Sequence, residues 1–455
     1  MTHSFPQPAA QAAQPAQAAH PGQPAQPAVP AYDPEPSFEA VPERARWRYK
    51  PRRLWRSRVV RLGSVFTVLA LCGLVILALV REQTGTEGFL VGLGLALLPV
   101  PLLLAAFRWL DRVEPAPWRN MIFAFSWGAF AAALVAIIAN TFAHRWIATA
   151  TADPTAADTI GATVIAPVVE ETAKAVAVLL LFLFRRREFT GVVDGVVTAG
   201  FTATGFAFTE NILYLGNAFG EDQQLGATGL ASVTAATFFV RVVMSPFAHP
   251  LFTVFTGLGF GIAAVSARRK RVRRIALPLL GLLLAMGMHA MWNGSVSFFG
   301  PWGFYAVYAA FMLPAFGLMT WLVIWTRQRE LRTISGELPA YAAAGWLSPT
   351  EPLALASMRA RGLARGYAAR SFGPAAARAV GEYEAFATTL AFLRHRARRG
   401  AADPDFVARE QELLHHLWQR KAVAGPALTY AARATGRVWV PPPHRDYDGY
   451  NPYRV

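Results

Sequence analysis

Residues 161–187 read GATVIAPVVEETAKAVAVLLLFLFRRR. The stretch 161–184 is long enough to cross a bilayer, which takes about 20 apolar residues. The three arginines that end it, Arg185 to Arg187, mark a cytoplasmic boundary. Yet its centre carries Glu170, Glu171 and Lys174. An ionisable group at membrane depth costs about 2.5–3.5 kcal/mol on insertion scales, so three in one span demand an account beyond packing. Glu170 and Lys174 are four apart and share a helix face, whereas Glu171 points about 100° away from Glu170.

Similar apolar segments lie on either side, at 62–80, 88–109, 120–143, 191–216, 226–244, 247–266, 275–296 and 303–326. Of the 455 residues 54% are hydrophobic and only 16% are charged, against about 25% charged in a typical soluble domain. The fold class is therefore an all-α polytopic membrane protein. The net charge of +16 raises nucleic-acid binding as a function, but the apolar spans assign it to positive-inside topology and anionic-lipid contact, with no nucleic-acid partner. The single cysteine, Cys72, lies inside the first apolar run and excludes an internal disulfide. No cleavable signal peptide is evident, and the first run reads as an uncleaved anchor.

Four domains follow. Residues 1–43 are rich in Pro, Ala and Gln and are expected to be disordered; 44–61 form a basic juxtamembrane collar; 62–326 are the polytopic core; 327–455 are a basic tail, partly helical with a disordered end. Nine spans would put the two basic chain ends on opposite sides. Basic linkers at Arg185–Arg187 and Arg268–Arg274 read as cytoplasmic, while those holding Glu82 and Glu87, Asp153 and Asp158, and Glu221 and Asp222 read as external. All agree if 226–244, which carries Arg241 and ends at Ser245-Pro246, is a re-entrant or interfacial helix. The expectation is eight spans with both termini cytoplasmic. In the tail, Ser348-Pro349-Thr350-Glu351 reads as a capping box, and 374–399 and 404–422 as amphipathic helices against the membrane surface. A docking module for a cytoplasmic protein partner is the alternative.

Further polar groups punctuate the core: Phe206-x-x-x-Glu210-Asn211, Arg241, His249, and His289-x-x-x-Asn293. At 1.5 Å per residue, the eight-span topology puts Glu170 about 14 Å below the outer boundary, Glu210 and His289 about 9–10 Å below it, and His249 and Asn293 about 5 Å. Four segments thus bring costly groups to one outer-leaflet layer. Two glutamates and two histidines can activate water for attack on a carbonyl, with or without a metal; His and Glu are acceptable zinc ligands, and Asn293 can donate to an oxyanion. Arg241 reads as a counter-charge to Glu210. No HExxH or GxSxG occurs in the chain. A buried Glu/His proton relay in a transporter and a non-catalytic scaffold are the other classes these residues allow.

The ordered set Glu170-Glu171-x-x-Lys174, Phe206-x-x-x-Glu210-Asn211, His249 and His289-x-x-x-Asn293 resembles the PrsW family of intramembrane proteases, distantly related to type II CAAX prenyl proteases. The resemblance covers roughly 60–326. It implies an endopeptidase that cleaves single-span membrane proteins near the extracytoplasmic side, such as an anti-sigma factor in envelope-stress signalling. It assigns catalysis to Glu170, Glu171, His249, His289 and Asn293, with support from Lys174, Phe206, Glu210, Asn211 and Arg241. It also implies a metal, taken as zinc, on His249, His289 and Glu171, although a metal-free, glutamate-activated water suits the same residues. Lys174 stands where the CAAX relatives have an Arg one position later, which sets prenyl-peptide processing aside. The Pro-, Ala- and Arg-rich composition fits a bacterial chain in the cell membrane.

Overall fold

In the computed structural model the described residues are 58–186, 188–266, 271–300, 302–399 and 405–437. The expected disordered head, most of the basic collar and the Pro-rich end lie outside them. Among the described residues there is no β-strand, and the elements in chain order are α1 (Arg58–Leu97), α2 (Pro99–Leu110), α3 (Trp118–Ser126), α4 (Ala133–Thr151), α5 (Pro154–Ile160), α6 (Ala166–Phe184), α7 (Val192–Leu225), α8 (Val233–Phe238), α9 (Ala248–Ala264), α10 (Arg271–Asn293), α11 (Ser295–Phe299), α12 (Gly303–Val307), α13 (Leu313–Ala343), α14 (Glu351–Leu355), α15 (Met358–Arg398) and α16 (Phe406–Ala434).

Six helical runs are long and apolar enough to cross a membrane: Gly63–Leu110, Trp118–Thr151, Val192–Leu225, Val233–Ala264, Arg271–Asn293 and Gly303–Ala343. The first, with 48 residues, would reach about 72 Å as one rod, more than twice a hydrocarbon core. It is not one rod. Gly85 interrupts α1 at φ 73°, a left-handed conformation that glycine adopts without a Cβ clash. α6 is also apolar over 19 residues, but its three central charges set it apart from these six.

α7 is the axis of the core. From Val193 to Ala207 it is buried on all sides, and it is poor in bulky residues where neighbours cross it. Gly216 meets Gly88, Ile212 meets Gly92, and Gly200 meets Phe107, so the second half of α1 and then α2 run antiparallel to it. Gly195 and Gly257 approach so closely that a Cβ on either would lie within 2.3 Å of the other's carbonyl oxygen. With Gly261 against Val192, the small residues of α9 lock it antiparallel to α7. α10 repeats the arrangement on α9, Gly281 meeting Phe255 and Gly259 meeting Leu277.

The segments 226–244 and 247–266, treated as separate in the sequence, form one broken run. Ser232 caps α8 through the Ala235 amide, a π-helical turn covers Phe239–Met244, and the chain breaks at Ser245 before α9 begins. Thr234 lies against Asp222 and Arg241 against Asn211, so this run descends along α7 in the direction that α9 continues. The expectation of an independent re-entrant helix is therefore revised: the proline-containing break lies within one run, where its backbone is packed in protein.

The tail forms its own core from the last turns of α13 and from α14–α16, around Leu338, Leu355, Tyr383, Leu390 and Leu428. The expected capping box is not formed. α14 starts at Glu351 with Thr350 at its N-cap and no side-chain cap, because buried Glu351 instead accepts from the Tyr383 hydroxyl at 2.5 Å.

Candidate active site

α6, α7, the α8–α9 run and α10 deliver the site, and the helical hydrogen-bond ladder is irregular at three places beside it. π-helical turns cover Trp127–Ala132, Gly161–Ile165 just above α6, and Phe239–Met244. Such turns widen a helix locally and free backbone groups for other partners. The indole of Trp127, at the start of one such turn, donates to the carbonyl of Ala173 at 3.0 Å across to α6.

Lys174 is the hub. Its side chain is 0% exposed, and Nζ donates to Glu171 Oε1 at 2.9 Å, to Glu170 Oε2 at 3.5 Å and to His249 Nδ1 at 3.1 Å. It also lies 3.9 Å from the centroid of the Phe206 ring. A buried ammonium is tolerable only with such compensation. Glu171 is fully engaged: besides Lys174, its Oε1 accepts from His289 Nδ1 at 3.0 Å and its Oε2 from the Thr253 hydroxyl at 2.8 Å. Glu170 is less committed. Its Oε2 is 3.9 Å from His289 Nε2, and its Oε1 accepts a long 3.5 Å bond from Asn140 Nδ2.

His249 Nε2 donates to Glu210 Oε2 at 2.6 Å, and Glu210 is ion-paired with Arg241, whose Nε donates to Asn211 Oδ1 at 2.8 Å. The two histidine rings stand edge to face, with centroids 5.2 Å apart. Each imidazole thus has one nitrogen held by a carboxylate, Glu171 or Glu210, which sets its tautomer and orientation.

Of the residues singled out in the sequence, Glu170, Glu171, Lys174, Phe206, Glu210, Asn211, Arg241, His249 and His289 form this one connected network. Asn293 lines the same cavity, but its amide donates to the Ala162 carbonyl at 3.0 Å and joins no member of the network. Two contributors escaped the sequence reading. Thr253 is four residues after His249 and therefore on its face, a signal that was present. Asn140 carried none, being an amide in an otherwise ordinary apolar run.

Above the network a cavity of about 410 Å³ is walled by Asn140, Glu170, Glu210, Arg241, His249 and Asn293, among others. Gln83, next to the Gly85 break, also lines it. It therefore opens toward the end of the bundle that carries the 85, 152–153 and 226–232 turns.

For a metal, the fit concerns Glu170, His249 and His289. Each offers one ligand atom, and the three lie within 4.8 Å of one another. Two imidazole nitrogens and a carboxylate oxygen, each imidazole backed by a second carboxylate, suit a divalent ion such as zinc in kind and in outer-shell support. The third ligand differs from expectation. Glu170 takes the place assigned to Glu171, because both oxygens of Glu171 are already held by Lys174, His289 and Thr253.

Residues 116–319 match a family described as PrsW family intramembrane metalloprotease. The core of the chain matches the PrsW family. Similarity extends to Protease PrsW of Geobacillus kaustophilus (strain HTA426), 26% identical over 247 residues, which are 54% of this chain and 92% of that protein. Protease PrsW of Clostridioides difficile (strain 630) is 24% identical over 200 residues, 44% of this chain and 76% of that protein. No solved structure matches. The chain is thus an intramembrane protease, a hydrolase of peptide bonds. The PrsW-family match is narrower than the 60–326 read from the motifs, yet it holds every charged member of the network. It leaves out α1, α2 and the tail.

Proposed function

We propose that this protein is a PrsW-family endopeptidase of single-span membrane proteins, cutting them near the extracytoplasmic boundary, with Glu170, His249 and His289 as the reacting set. The observation that carries the reading is the approach of these three side chains to within 4.8 Å of one another, with Glu170 and His249 on the cavity wall and each imidazole oriented by its own carboxylate. Glu170 is the carboxylate left open to that cavity and takes a proton from the attacking water. That proton passes from Glu170 by way of His289 Nε2 to the leaving amine, as the water's hydroxyl bonds to the carbonyl carbon and the C–N bond breaks. Lys174 is ion-paired with Glu170 and Glu171, and Arg241 with Glu210. Were zinc held by Glu170, His249 and His289, it would activate the water and polarise the scissile carbonyl in place of a free Glu170 base. His249 would hold the ion through Nδ1, which here accepts from Lys174 Nζ, since its Nε2 is paired with Glu210.

We assign eight passes: the six long runs, a seventh from dividing the first at Gly85, and α6. Basic Arg185, Arg186 and Arg271–Arg274 then face the cytoplasm together with both termini, and the cavity faces out. Support for the inner boundary comes from three arginine–tryptophan stacks, Arg108 on Trp118, Arg327 on Trp109 and Arg329 on Trp325. An outward site suits an anti-sigma factor substrate in envelope-stress signalling.

The test compares cells expressing wild type or Glu170→Gln at matched membrane levels, by proteomics that resolves shortened from full-length single-span proteins. A protein shortened near its outer boundary only with wild type is expected. Identical fragment profiles under envelope stress, with wild type folded, would overturn the reading.

A further inference from the structure

A second cavity, distinct in residues from the catalytic one, lies between α2, α7, α9 and α13. It encloses about 230 Å³, and its walls include Phe107, Leu251, Val254, Met319 and Val323. Phe247 and Pro250, which flank His249, close its upper end, and Trp109 and Ile324 its lower end. Thr320 is its one side-chain hydroxyl. Leu102, Leu318 and Trp321, next in sequence to lining residues of α2 and α13, are exposed, so the outer faces of these two helices are apolar.

The lower end is cationic. Arg327 stacks on Trp109, the guanidinium carbon 4.3 Å from the ring centroid, and its Nε is buried without a hydrogen-bond partner among the described residues. Arg112, three residues after Trp109 and just past the end of α2, is exposed, and Glu330 stands on the next turn of α13 from Arg327. A stacked guanidinium with an unused donor at the foot of an apolar groove, with an exposed arginine one turn beyond the tryptophan it stacks on, is poised for an anion.

We propose that this groove binds one anionic phospholipid of the inner leaflet, an acyl chain between α2 and α13 and the phosphate on Arg327 and Arg112. Charge decides against the alternative occupant, the helix of a single-span protein. The cytoplasmic flank of such a protein is rich in Lys and Arg, and these two arginines would repel it. The site shares no residue with the catalytic network, so its test is independent of the proteolytic reading.

The full chain is reconstituted in nanodiscs of mixed phosphatidylcholine and phosphatidylglycerol, released, and weighed by native mass spectrometry. One retained phosphatidylglycerol per chain is expected, with phosphatidylcholine retained several-fold less. The double variant Arg112→Gln, Arg327→Gln lowers that retention on the order of tenfold, about 1.4 kcal/mol. Thr320→Trp, which fills the groove and leaves both charges in place, lowers it as well, and thermal unfolding identifies any variant that has lost its fold. Equal retention of the two lipids would overturn the proposal. So would undiminished retention by either folded variant, displacement of the lipid by free glycerol phosphate, or its replacement by a lysine-flanked single-span peptide.

Discussion

Adjacent glutamates on α6 have different surroundings, and the difference assigns them different work. Glu171 accepts from Lys174, His289 and Thr253 and has no free oxygen, whereas Glu170 faces the cavity with long contacts only. Glu170→Gln should therefore lower the cleavage rate by at least about 100-fold, the usual worth of an acid–base group. Glu171→Gln leaves the reacting set complete but loosens His289 and Lys174. A loss of about 10–100-fold in rate and in zinc retained after purification is expected, in the range of outer-shell changes. Elemental analysis and initial rates on the same preparations check both. Equal losses for the two variants would contradict the division of roles.

At the scale of elements, backbone approach holds the bundle. A Cβ at Gly195 would sit 2.1 Å from the carbonyl oxygen of Gly257, and one at Gly205 2.1 Å from that of Phe125. Neither neighbour is a flexible side chain that can turn aside. Gly195→Ala should cost about 1–3 kcal/mol through overpacking, or more if α9 shifts and carries His249 with it. Gly220, on the same helix, has open space at the Cβ position, so Gly220→Ala should be neutral or stabilising by up to about 1 kcal/mol. Thermal unfolding in one detergent separates the two. A drop for Gly220→Ala as large as that for Gly195→Ala would refute packing as the cause.

Across the whole molecule, α13 joins the two cores. Met319 and Val323 pack in the membrane core, while Ile334, Leu338 and Tyr341 pack in the tail core of the same 31-residue helix. A second tie is polar. Arg361 donates to the carbonyls of Val113 at 3.0 Å and Leu355 at 2.7 Å, and Glu114 accepts from Thr190 and Thr389, both at 3.1 Å. Burial pushes the Glu114 carboxyl above its usual range despite nearby Arg396. In the tail, burial also raises Glu384 to about 7, outweighing Arg365 and Arg361. A carboxyl whose folded pKa is raised stabilises the fold below its unfolded pKa of about 4.5, and that contribution is lost as pH rises toward 7. The tail should therefore show faster amide exchange at pH 8 than at pH 5 after correction for intrinsic rates, by an opening free energy on the order of 3 kcal/mol. Glu384→Gln should remove most of the difference; if it does not, another group sets the pH response.

Charged residues inside apolar runs are legible because the bilayer makes them expensive, which is why Glu170, Glu171, Lys174, Glu210, His249 and His289 stood out. Their common layer followed from helical rise alone, and the family from their order. The all-helical class was equally legible, since hydrocarbon leaves the backbone few ways to satisfy its own hydrogen bonds. Other features were not. Thr253 and Asn140 are unremarked in sequence because a hydroxyl or amide in a membrane helix costs little. The Gly85 break and the joining of 226–244 to 247–266 depend on which helix each segment meets. So does the choice between Glu170 and Glu171: their 100° offset is local, but which of them faces the cavity is set by how α6 is rotated against α9 and α10. The sequence by itself determined which groups must find partners in the membrane. Only the tertiary structure decided who those partners are, because helix rotation is fixed by contacts between residues far apart in the chain.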